Sequence, residues 1–163
     1  KISHVRWGGV RRSINGIPSG TTYTIAFGNN RDEAVIDTSK ELIYSTFIDK
    51  LWRAVCSRLL SEMLGALGEG KELRFGSAKI RDDGVTLTKV KFLGADEIRS
   101  FNWSEVKIWS AGGEFVLGAV NDKKFSAEMS YIDVPNVHVL ELAIRILFKS
   151  TSKRRLSELL DGT

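Results

Sequence analysis

The residues able to do chemistry are few and far apart. Cys56 is the lone thiol, and His4 and His138 are the two imidazoles, in a chain of 163 residues. A Ser-His-Asp or Cys-His device needs a base within hydrogen-bond reach of its nucleophile. His4 lies in an alternating, strand-like stretch beside Arg6, and His138 falls in the first turn of a helical pattern near Asp133 and Asn136. Both read as structural, with His138 bonding to the helix entrance or packing on a sheet. Cys56 follows Val55 one position off an apolar helical stripe, the setting of a buried, unreactive thiol. A single Cys with two distant His makes no zinc constellation, and it forms no intramolecular disulfide, which fits a reducing compartment.

The acids are equally plain. Asp82-Asp83, Asp96-Glu97 and Asp122 fall at turn signals without the spacing of a calcium loop, so they read as solvated turn residues. Gly65-x-x-x-x-Gly70-Lys71 comes near a phosphate-binding loop, whose mechanism requires a strand before it, a helix after it and Ser or Thr next. Here a helical pattern precedes, a strand pattern follows, and Glu72 would repel phosphate; the segment reads as the glycine stop of a helix. Asn102-Trp103-Ser104 is a formal glycosylation signal, idle without a secretion leader. No catalytic residue, metal ligand or cofactor site is expected, and the chain reads as a non-enzyme; unrecognised chemistry is the remote alternative.

Electrostatics supplies the remaining candidate. The formal net charge is +4. It is loaded at both ends: six bases against three acids in residues 1–40, and five against three in residues 135–163. Lys149, Lys153, Arg154 and Arg155 form the candidate lipid-facing cluster, each basic residue adding about 1 kcal/mol of attraction near an anionic leaflet. A solubilising helix face is the competing reading. Nucleic acid is not expected, because no strong basic stripe with interleaved aromatics is present.

These residues must be carried by alternating strands and two helices. Residues 2–7 alternate, Asn15-Gly16 signals a turn, and Thr21–Phe27 is rich in β-branched and aromatic residues before a turn into Ala34–Ile36. Leu42/Ile43, Phe47, Leu51, Val55, Leu59 and Met63 then predict an amphipathic helix over about residues 40–66, with Ser39 as N-cap and Gly65 or Gly68 as stop. Strands return at Glu72–Ile80, Val85–Leu93, Ile98–Trp103, Glu105–Trp109, Glu114–Val120 and Lys124–Met129. Their regular spacing predicts a small antiparallel barrel or sandwich. Phe75, Phe92, Phe101, Trp103, Phe115 and Phe125 on these strands are expected in its core. Pro135 opens a second amphipathic helix along Val137, Leu140, Ile144 and Leu147, and a short basic segment, Ser152–Leu160, follows. No apolar run approaches the ~20 residues of a membrane-spanning helix.

Ser3-His4-Val5-Arg6-Trp7 resembles Ser104-Glu105-Val106-Lys107-Ile108, each leading through strands into a helix, which suggests a duplication whose first copy is incomplete. Such a partial copy exposes a strand edge that pairs with another chain or a second copy. Seven short strands capped by one helix is the plan of the pleckstrin-homology-like fold. On Gly20–Thr24, Glu72–Gly76, Asp83-Gly84-Val85, Phe101–Val106 and Val134–Leu140, the chain resembles a bacterial family of uncharacterised proteins with two tandem pleckstrin-homology-like domains. The resemblance implies an α+β fold, with a partial first domain in residues 1–68 and a second in residues 69–163 that carries the basic tail. It brings no catalytic residues. Members often carry a membrane segment upstream, which implies action in the cytoplasm near the inner membrane surface. The expected role is a scaffold that binds a protein or peptide, or itself, at a strand edge or beside the capping helix. Peripheral binding of anionic lipid through the basic tail is the alternative. In Lys79-Ile80-Arg81, a specific inositide site is opposed by Asp82 and Asp83.

Overall fold

The alternating start of the chain becomes the first of ten strands in the computed structural model, which describes residues 1–162. β1 (His4–Ile14) and β2 (Ile17–Gly28) pair antiparallel, with Ile14 facing Ile17 across a two-residue turn. Asn15 (φ 51°) and Gly16 (φ 81°) both take the left-handed backbone that a type I′ hairpin turn demands. β3 (Glu33–Thr38) pairs with the other side of β2. Only the root of this meander is buried, through Val5, Trp7, Ile25 and Ala26; residues 9–20 form an exposed arm.

α1 (Glu41–Leu51) runs through a π-helical turn at Trp52–Cys56 into α2 (Ser57–Gly68). Residues four apart drift by about 40° per step on an α-helix. The wider turn offsets that drift and keeps Leu51, Val55, Leu59 and Met63 all in the core. Leu42 and Ile43, expected to begin the stripe, are exposed instead. The face that α1 turns to the sheet is Tyr44, stacked on Tyr23, and Phe47, stacked on Phe27. Nor does Ser39 cap the helix: Lys40 holds the cap position without a side-chain bond, and its amide donates to Thr38 Oγ1 at 3.1 Å. The stop is Gly70 (φ 84°), whose N–H donates to Leu67 O while Lys71 N–H reaches Ala66 O. This pair of bonds is a Schellman closure, and the left-handed residue at its centre favours glycine.

Two further antiparallel sheets follow. β4 (Leu73–Phe75), β5 (Ala78–Arg81), β6 (Gly84–Lys89) and β7 (Glu97–Asn102) form a four-stranded meander. β8 (Val106–Ala111), β9 (Glu114–Ala119) and β10 (Ser126–Ser130) form a three-stranded one, which touches the first where β10 meets β6. Neither closes, so the described residues make open antiparallel sheets and no barrel. The strand expected to reach Leu93 ends at Lys89, and Phe92, expected in the core, is fully exposed. The other strand aromatics, Phe75, Phe101, Trp103, Phe115 and Phe125, are buried.

α3 (Val137–Lys149) lays Val139, Leu140, Ala143, Ile144 and Leu147 into the core. It starts later than expected: Pro135 lies outside it, and Asn136 precedes it with φ 62°. A 3-10 segment, Ser157–Gly162, then returns to α2, burying Leu156 and Leu159. One continuous apolar cluster joins the first meander, the long helix, both later sheets and α3.

Candidate functional site

Where α2 passes β4, the side chains leave a cleft of about 410 Å³. Leu59, Met63 and Ala66 of α2 form one wall, Leu73 and Phe75 of β4 the other, and Val134, Pro135 and Val139 close the back. Polar groups stand at the edges: Ser3, Glu62, Arg74 and Asn136. Hydrogen bonds from Lys1 (2.6 Å) and Arg58 (2.8 Å) hold the exposed Glu62 carboxyl below its ordinary range. Arg74 Nε donates to Gly76 O at 3.1 Å.

β4 has a neighbour on one side only. Phe75 faces Ala78 across a two-residue turn, so Leu73 and Phe75 direct their backbone groups to β5. Alternation then turns the N–H and C=O of Arg74 outward. Among the described residues no backbone hydrogen bond meets them. An apolar cleft thus lies beside an open strand edge. That arrangement can hold an apolar side chain while pairing with the backbone that carries it.

The back of the cleft is fixed by Asn136. Its N–H donates to Val5 O, its Oδ1 accepts from Val5 N–H, and its Nδ2 donates to Ser3 O. One residue therefore acts as a short strand against the outer edge of β1. The next acceptor on that edge, Trp7 O, takes a hydrogen bond from His138 Nε2 at 2.8 Å. The imidazole is stacked between Trp7 (4.1 Å) and Tyr131 (4.3 Å). Burial pushes its pKa below the ordinary value, and the Trp7 carbonyl opposes that shift. Because a carbonyl only accepts, Nε2 carries the proton. Beyond the ring, Tyr131 O–H donates to Glu141 Oε2 at 2.7 Å. Burial alone would raise the Glu141 pKa, yet the bonds from Tyr131, Arg145 and Ser110 hold it low.

Lys149 ends α3, and Lys153, Arg154 and Arg155 lie on the segment after it. That segment is tethered at its far end. Asp82 O accepts from Leu156 N–H (3.0 Å) and Trp103 Nε1 (2.9 Å), and the Asp82 carboxylate accepts from Ser157 N–H (2.7 Å) and Ser157 Oγ (2.8 Å). Asp82, read from sequence as a solvated turn residue, is thus an anchor. Arg154 spends its guanidinium on Thr151 O and Lys153 O. Glu158 accepts from the amides of Arg154 and Arg155, which lower its pKa and set a carboxylate inside the basic cluster.

The remaining sequence candidates stay apart. His4 Nε2 sits 3.2 Å from Glu33 Oε1, whereas His138 is bonded to the Trp7 carbonyl. Cys56 is buried, with its thiol pushed up to about 11 by burial. Gly65 lies in the last turns of α2, and Gly70-Lys71 closes that helix ahead of β4, the order opposite to a phosphate-binding loop. Among the described residues, no three His, Cys, Asp or Glu side chains converge, and no helix is long and apolar enough to cross a membrane. No protein-family model, curated protein or solved structure matches the chain.

Proposed function

We propose that the chain is a non-catalytic interaction module that binds an extended peptide, one apolar side chain entering the cleft between α2 and β4. The observation that carries this reading is the outward Arg74 backbone beside the apolar cleft. Main-chain pairing supplies affinity in such sites, and the pocket supplies specificity. The element order supports a pleckstrin-homology-like second domain: a four-stranded meander, a three-stranded meander, then a helix. β1–β3 followed by α1–α2 repeats the latter part of that plan, which supports a tandem arrangement with an incomplete first copy. The action would lie near the inner membrane surface, as the family resemblance implies.

A second copy is one source of the bound strand. The exposed arm at residues 9–20 offers Val10, Ile14 and Ile17 to solvent. Display selection from random peptides tests the reading. Selected peptides should carry one apolar anchor and lose at least tenfold in affinity on Ala66→Trp, which fills the cleft. Equal binding by that variant would overturn it.

Anionic-lipid contact through Lys149, Lys153, Arg154 and Arg155 is the second reading. It is favoured by the absence of an ion pair within 4.0 Å of any of the four among the described residues. Charge reversal at Arg154 and Arg155 should abolish that contact.

A further inference from the structure

The β6–β7 loop does something a core-forming sequence should avoid. Phe92 is 100% exposed, Leu93 83% and Val90 80%. The loop is nonetheless shaped: Lys91 N–H donates to Asp96 Oδ1 at 3.2 Å, closing its base beneath the apolar tip. Exposed apolar residues scattered singly need no explanation, but three within four positions of one loop do.

Charge surrounds the tip. Lys89, Lys91 and Arg99 encircle Glu97 at 3.6, 3.6 and 2.9 Å. Lys89 and Arg99 also lie over the Phe125 ring, at 5.6 and 4.7 Å, which sets the β9–β10 turn, with exposed Lys123 and Lys124, against the same strands. Lys89, Lys91 and Arg99 thus stand at the loop against the carboxylates of Asp96 and Glu97. A protruding apolar tip with a cationic collar matches one occupant better than a shaped protein pocket: a bilayer that takes side chains among its acyl chains and presents anionic headgroups around them.

We infer that the β6–β7 loop is a membrane-inserting tip, with Phe92 and Leu93 entering an anionic bilayer and the cations of the same end meeting its headgroups. The basic segment at Arg154 and Arg155 lies elsewhere. It borders Asp83 and Asn102, at the start of β6 and the end of β7. Six residues of β6 separate those ends by about 20 Å. Tip and tail are therefore separable anchors, and this inference stands independently of peptide binding in the cleft.

The test is flotation of the full chain with vesicles of neutral phosphatidylcholine alone or with about one-third phosphatidylserine, together with an environment-sensitive dye on Leu93→Cys. The buried Cys56 leaves that new thiol as the reactive one. The inference expects binding to the anionic vesicles with a blue shift of the dye. It expects at least a tenfold loss for Phe92→Ser/Leu93→Ser, a smaller loss for Lys89→Glu/Lys91→Glu, and near-parental binding for Phe92→Leu. No flotation, or flotation unchanged by Phe92→Ser/Leu93→Ser, would overturn it. So would a dye that stays in water while the chain floats, the outcome expected if the basic tail alone holds the chain to the vesicle.

Discussion

Val5 and Asn136, 131 positions apart, exchange hydrogen bonds in both directions: each backbone N–H donates to an oxygen of the other residue at 2.9 Å. The bridge joins the first strand to the residue that opens α3, and it forms the back of the apolar cleft. Val5 is 1% exposed, so its N–H has no water to turn to if the bridge is lost. Asn136→Gly keeps the left-handed backbone while removing both side-chain bonds, to Val5 N–H and Ser3 O. It should cost about 1–3 kcal/mol in urea unfolding. Asn136→Ala should cost more, because alanine also meets the left-handed strain.

His138 makes the same joint sensitive to acid. Its folded pKa lies below the ordinary 6.5, so below that pH the unfolded chain binds the proton and the folded one resists it. Its contribution is therefore fully present above pH 6.5 and is lost as pH falls toward the depressed value. The parent should lose more stability between pH 7.5 and 5.5 than His138→Phe, which keeps a ring between Trp7 and Tyr131. Denaturant midpoints at the two pH values check this.

Asp82 holds the last segment of the chain. Asp82→Ala removes two bonds to Ser157 and should release residues 150–160 from α2 at a cost of about 1–3 kcal/mol. Limited trypsin digestion should then cut the Lys153–Arg155 run at least several-fold faster than in the parent.

Cys56 should be silent while the chain is folded. With no exposed surface and a pKa near 11, it offers little thiolate at pH 8. A chromogenic disulfide reagent should react only as fast as the chain opens, and at once in urea.

Local chemistry was readable where local partners decide it. Asn15-Gly16 forces its own turn, and the apolar spacing from Phe47 to Met63 drew the long helix, although it could not foretell the π turn that reconciles a four-residue repeat with a 3.6-residue helix. Distant partners hid the rest. Asp82 looks like any turn carboxylate until Ser157 arrives 75 residues later, and Asn136 is only a neighbour of His138 until β1 claims its side chain. Phe92 misleads for another reason: an aromatic beside a β-branched run reads as core, and only the early end of β6 at Lys89 leaves it outside. The cleft itself has no sequence signal, because α2, β4 and the α3 entrance meet only in the folded chain.

The central claim rests on the outward N–H of Arg74. Amide hydrogen exchange and backbone chemical shifts of the full chain, with and without a display-selected peptide, test it most directly. Pairing along β4 predicts that the Arg74 amide becomes protected at least tenfold and that the Met63 and Leu73 methyl signals shift together with it. A bound peptide that leaves the Arg74 amide exchanging freely and those methyl signals unmoved would contradict the account.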